Sequence, residues 1–147
     1  MILLAVASCH TMTQWSELRA GKLPMARVYD EIERIASGDG FRPDIAECDR
    51  GLGTWQSAWR YRMRADGHPS RSRLRAEILG AADGSEGWTI RWNIRRQAVL
   101  DLRRAGRPGE DDWSADGQDF EREQIFGARL RGRLASLAGP EAAANSR

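Results

Sequence analysis

Twenty-two arginines and six tryptophans are the residues of this chain with the most distinctive chemistry, and just over half of them lie between Trp55 and Arg104. There they interleave, as TWQSAWRYRMR, SRSRLRAE and GWTIRWNIRR. A guanidinium is a planar fork of donors that matches a phosphate, and an indole offers a flat face to a nucleobase. Arg60 and Arg64, Arg71 and Arg75, and Arg91 and Arg95 are each spaced by one helical turn. Cations stacked in this way can follow a nucleic-acid backbone without reading its bases. These six arginines are the candidate phosphate contacts. The competing reading places the tryptophans in the core and leaves the arginines solvated or paired with carboxylates.

The charge distribution sharpens the expectation. The formal net charge is only +2 and Lys22 is the sole lysine, yet residues 41–107 hold 14 arginines against 8 carboxylates, and residues 108–123 hold 7 carboxylates against one arginine. A near-neutral total thus contains a basic middle, an acidic loop and a basic final segment, an asymmetry that favours a polyanion-binding face.

Other chemistry is thin. The two histidines, His10 and His68, have no neighbours that would make a triad or a metal site, and neither a phosphate loop nor a dinucleotide fingerprint is present. The expectation is therefore a protein without catalytic residues, cofactor or metal. One alternative is calcium. Asp112, Ser114, Asp116, Gly117 and Glu123 match positions one, three, five, six and twelve of an EF-hand loop, although Asp119 stands where an apolar residue is usual and Gly106, Pro108 and Gly109 break the incoming helix. Asp116 or Asp119 serves equally well as a helix N-cap. Cys9 and Cys48 form no framework of bridges, which favours a reducing cytoplasm, and the apolar run at the N-terminus is too short for a membrane span.

The elements that would carry these residues read as helices. Pro24 opens one with Met25, Val28, Ile32 and Ile35 on a single face. A shorter helix over 14–20 precedes it. Ile45, Cys48, Leu52, Trp55, Trp59 and Met63 recur at helical spacing, weakened by Gly51 and Gly53. Ser70 caps a helix over 71–82 with Leu74 and Ile78 inward. Residues 88–94 alternate like a strand, but Trp88, Trp92, Val99 and Leu102 also share a helical face, and the reading adopted is a helix over 86–104. A last helix over about 118–138 buries Phe126, Leu130, Leu134 and Leu137. The predicted organisation is a flexible N-terminus (1–12), one all-α bundle of about five helices (13–138) and a disordered tail (139–147). Leu, Ile, Val and Phe number only 26, so the core is small. Trp55, Trp59, Ile32, Ile35, Leu74, Ile78, Val99, Leu130 and Leu134 are its expected members.

The segments TQWSELRAGKLPMARVYDEIERI, TWQSAWRYRMR and GWTIRWNIRRQAVLDLRR resemble the small all-helical subunit of class 1 CRISPR effector complexes, those of type IV in particular, over residues 12–138. That resemblance implies a helical bundle repeated along a guide-RNA filament, contacting backbone phosphates of RNA or single-stranded DNA beside larger protein subunits. No single residue's role is implied by it. Docking of the acidic loop on the next copy would give a head-to-tail array. The rival to nucleic-acid binding is a structural or adaptor protein, from a phage particle for example, whose arginines meet protein carboxylates.

Overall fold

The computed structural model describes residues 13–80 and 85–139. The flexible N-terminus expected over 1–12, and all but the first residue of the expected tail, lie outside the described residues. In chain order the elements are β1 (Ser16–Ala20), α1 (Met25–Gly38), β2 (Thr54–Gln56), β3 (Arg60–Met63), β4 (Pro69–Leu79), β5 (Trp88–Val99), β6 (Trp113–Gln118) and α2 (Phe120–Ala138). The all-α bundle of five helices is thereby overturned: among the described residues there are two α-helices and a six-stranded antiparallel sheet. The helical bundle that the CRISPR small-subunit resemblance implied is likewise not the architecture of the described residues.

β4 and β5 form the centre, paired antiparallel from Ser70↔Ala98 to Leu79↔Thr89. Each carries two short strands end to end on its outer edge, β2 and β3 on β4, β1 and β6 on β5. Both helices pack on one face. Leu74, Ala76 and Ile78 of β4 and Trp88, Ile90, Trp92 and Ile94 of β5 point into this core. They meet Val28, Ile32 and Ile35 of α1 and Phe126, Leu130 and Leu134 of α2.

Alternation explains why the long segments became strands. In β5, Trp88, Ile90, Trp92 and Ile94 are buried at every second position, the period of a strand with one face on a core. The same holds for Leu74, Ala76 and Ile78, with Arg71, Arg73 and Arg75 at odd-numbered positions of the same strand. A helix would have turned Arg73 away from Arg71 and Arg75. The stripe from Ile45 to Met63 fails differently. Ile45, Leu52 and Met63 are exposed, and the chain turns at Gly53, whose φ is +69° and where a Cβ would lie 2.9 Å from Ile78 Cβ. The helix expected over 14–20 is strand β1.

The two helices that formed are the one anticipated after Pro24 and the last one, anticipated from about 118 and beginning at Phe120. Asp119 caps α2 by accepting from the Arg122 N–H. The expected core members are all buried except Trp59, which is half-buried.

Glu123 closes the gap between β1 and β6 on the outer edge of β5. It is 1% exposed; Oε1 accepts from the Ile94 N–H at 2.7 Å and from Gln118 Nε2 at 3.0 Å, and Oε2 accepts from Ser16 Oγ at 3.0 Å. A side chain thus replaces the strand partner that Ile94 lacks, and the Ile94 carbonyl accepts from the Asp119 N–H. No helix among the described residues is long and apolar enough to cross a membrane.

Candidate anion-binding face

The strand period that buries even-numbered residues of β4 and β5 sends the odd-numbered ones to the opposite, helix-free face. Arg71, Arg73, Arg75 and Glu77 of β4 lie there beside Gln97, Arg95, Asn93 and Arg91 of β5, each pair directly opposite. Four of the six candidate arginines, Arg71, Arg75, Arg91 and Arg95, therefore share one surface. Arg73 joins them. Spacing by helical turns had missed it, because a residue two positions on lies across a helix but on the same side of a strand.

The tryptophans hold guanidiniums. Arg71 sits 4.5 Å from the ring centres of both Trp59 and Trp113, Arg73 lies 4.4 Å from Trp59, and Arg91 lies 4.6 Å from Trp15. Indole faces expected to stack bases are instead engaged by cations of the same chain. Each contact is worth about 0.5–2 kcal/mol and fixes a long side chain that would otherwise be mobile.

Carboxylates of the chain neutralise part of the face. Arg71, 4% exposed, makes a two-pronged bond to Glu110 at 3.0 and 2.9 Å, and its Nε donates to Gln97 at 2.7 Å. Burial is the largest single influence and opposes its charge, but Glu110 and Tyr61 together outweigh it and hold its pKa above the ordinary value. Glu77 lies between Arg75 at 2.8 Å and Arg91 at 2.6 Å.

Arg73 and Arg95 differ. They are cross-strand neighbours, and neither has a carboxylate within ion-pair distance among the described residues. Arg95 donates to Thr13 Oγ1 at 2.9 Å. Burial first, and then the Arg95 charge, push the pKa of Arg73 below its ordinary value. Both line a hollow of about 500 Å³ with Trp59, Arg96, Gln97 and Phe120, and no carboxylate lines it. Close by, Asn93 is buried between Arg91 and Arg95 along the strand, and its amide nitrogen has no acceptor among the described residues. The local chemistry is donors and positive charge in excess of acceptors.

Comparison with protein-family models and with curated proteins finds no match. The arrangement of side chains is therefore the ground for any functional conclusion.

Two candidates fall outside the face. Arg60 projects to the helix side of the sheet edge, donates to the Asp39 carbonyl at 2.8 Å and covers the Phe41 ring at 5.5 Å. Arg64, in the turn after β3, pairs with Asp66 at 2.9 Å and Asp116 at 3.2 Å. The acidic loop is not an EF-hand. Residues 113–118 form strand β6, whose extended backbone spreads Ser114 and Asp116 along the chain and does not wrap them around one point. Asp112 pairs with Arg104, Asp116 with Arg64, and Glu123 is enclosed in the core. No group of three metal-ligating side chains gathers among the described residues. With Glu110 engaged by Arg71 as well, much of the acid expected to dock on a neighbouring copy is used within the chain.

Proposed function

We propose that this protein binds single-stranded nucleic acid through the helix-free face of its sheet, as a non-catalytic binding protein in the cytoplasm. The observation that carries the reading is the Arg73–Arg95 pair. Two guanidiniums directly opposite on neighbouring strands repel, and partial burial adds to the cost of the Arg73 charge. A phosphate bridging them would remove both penalties and gain charge-assisted hydrogen bonds. Arg75 and Arg91, partly neutralised by Glu77, extend the cationic surface along the sheet and would add longer-range attraction.

Because the indoles are engaged by arginines, the face favours phosphates over particular bases. Binding should then be largely indifferent to sequence and steeply dependent on salt, with a slope of about −0.7 per phosphate neutralised on a single strand. The test is fluorescence anisotropy of labelled oligonucleotides across a salt series. A steep slope in wild type, made shallower in R73Q/R95Q, supports the reading. A flat response, or equal binding by the double variant, rules it out. Retention of an acidic protein in place of nucleic acid would favour the adaptor reading.

A further inference from the structure

The hollow holds one aromatic ring that no guanidinium covers. Phe120, the first residue of α2, is 50% exposed, and no ring or cation contact engages it among the described residues. It lines the same hollow as Arg73 and Arg95. The ring is left in water beside two cations without an ion-pair partner among the described residues, and one ligand with an anion joined to a flat apolar plate would engage all three. A nucleotide unit is such a ligand. The volume, about 500 Å³, lies in the range of small-molecule pockets.

We infer that the hollow is a single-nucleotide subsite: Arg73 and Arg95 clasp one phosphate, and the attached base lies on Phe120. This rests on the nucleic-acid reading above and deepens it. Trp59 takes the role of a wall that holds Arg73 in place. Only a base turned out of a helix can reach Phe120, so the subsite selects single strands over duplex at one position, while the remaining arginines act on backbone alone. The amide of Gln97, whose oxygen is already used by Arg71 Nε, offers its nitrogen only as a donor, which suits acceptor oxygens of a pyrimidine.

The experiment compares the full-length protein with F120A and F120W. The probes are a labelled oligothymidylate, an abasic phosphodiester strand of equal length, and a duplex. F120A should weaken oligothymidylate binding about tenfold, in line with the loss of one base–aromatic stack, and leave the abasic strand unchanged. F120W should retain the preference for bases, and all variants should share the wild-type circular dichroism, since Phe120 lies outside the core cluster. If wild type binds both strands but F120A changes neither, or weakens both equally, the subsite is wrong and the phosphate-binding face stands. If wild type binds none of the probes, the nucleic-acid reading fails and the subsite with it.

Discussion

Arg73 and Arg95 stand directly opposite one another across β4 and β5, on the helix-free side of the sheet and without a carboxylate between them. Like charges in this position cost stability. R95Q should therefore leave the fold unharmed or raise its stability by a few tenths of a kcal/mol, while weakening affinity for single-stranded nucleic acid. Thermal melts and anisotropy on the same preparation would show the two effects with opposite sign. A drop in both would make Arg95 a structural residue.

Arg71 should behave in the reverse manner. It is buried between Trp59 and Trp113 and fastens Glu110, and with it the segment that leads into β6. R71A should cost on the order of 2–3 kcal/mol, because it removes packing together with a set of charge-assisted hydrogen bonds. Denaturant unfolding measures this. Nucleic-acid affinity, corrected for the folded fraction, should change little.

Glu123 carries a load that its exposed neighbour Glu121 does not. E123A would strand the Ile94 N–H and the Ser16 hydroxyl and remove one of two acceptors of the Gln118 amide at the junction of β1 and β6. The expected loss is about 2–4 kcal/mol, with E123Q losing less because its carbonyl can still accept. Hydrogen exchange should show the Ile94 amide losing protection first. An E121A control should fall within about 0.5 kcal/mol of wild type.

Two glycines of α2 give contrasting alanine variants. A Cβ at Gly127 would lie 2.5 Å from Trp92 Cζ2, and that ring is pinned by the bond from Nε1 to the Glu123 carbonyl at 3.0 Å. G127A should lose about 1–3 kcal/mol through overpacking. At Gly132 nothing stands within 4 Å of the added atom. G132A should gain roughly 0.5–1 kcal/mol from helix propensity alone. Midpoints in urea decide both.

Acid should weaken the contact between the helices. The bonds from Arg133 of α2, at 3.0 and 3.2 Å, hold the Glu31 carboxyl of α1 below its ordinary pKa, against the opposing effect of burial. A carboxylate with a depressed folded pKa contributes stability above its unfolded value, and that contribution fades as pH falls through the folded value. Melting temperature should accordingly fall with pH below the ordinary carboxylate range, and E31Q should flatten that part of the profile while lowering stability at neutral pH.

The candidate arginines were legible for a reason unconnected with the element assigned to them. A spacing of four residues returns to nearly the same side of a helix and to the same side of a strand. Arg71 with Arg75, and Arg91 with Arg95, therefore share a surface in either geometry, as do the inward residues Leu74 and Ile78. A spacing of two discriminates, and there the helical reading lost Arg73, Ala76 and Ile90. The alternation Trp88-Ile90-Trp92-Ile94 carried the strand signal. Helical matches further along, at Val99 and Leu102, hid it.

By itself the sequence determined which residues are apolar enough to be buried, where α1 and α2 lie, and that the chain's middle is rich in guanidinium. Those properties reside in composition and short-range periodicity. Only the tertiary structure decided that β4 and β5 pair, and with them which arginines oppose each other and which meet an acid. Glu110 reaches Arg71 across 39 residues, and Glu123 reaches Ile94 across 29. Pairing between strands and the distant carboxylates that neutralise a charge are long-range events, set by which surfaces the core brings together, and no local window of the chain contains them.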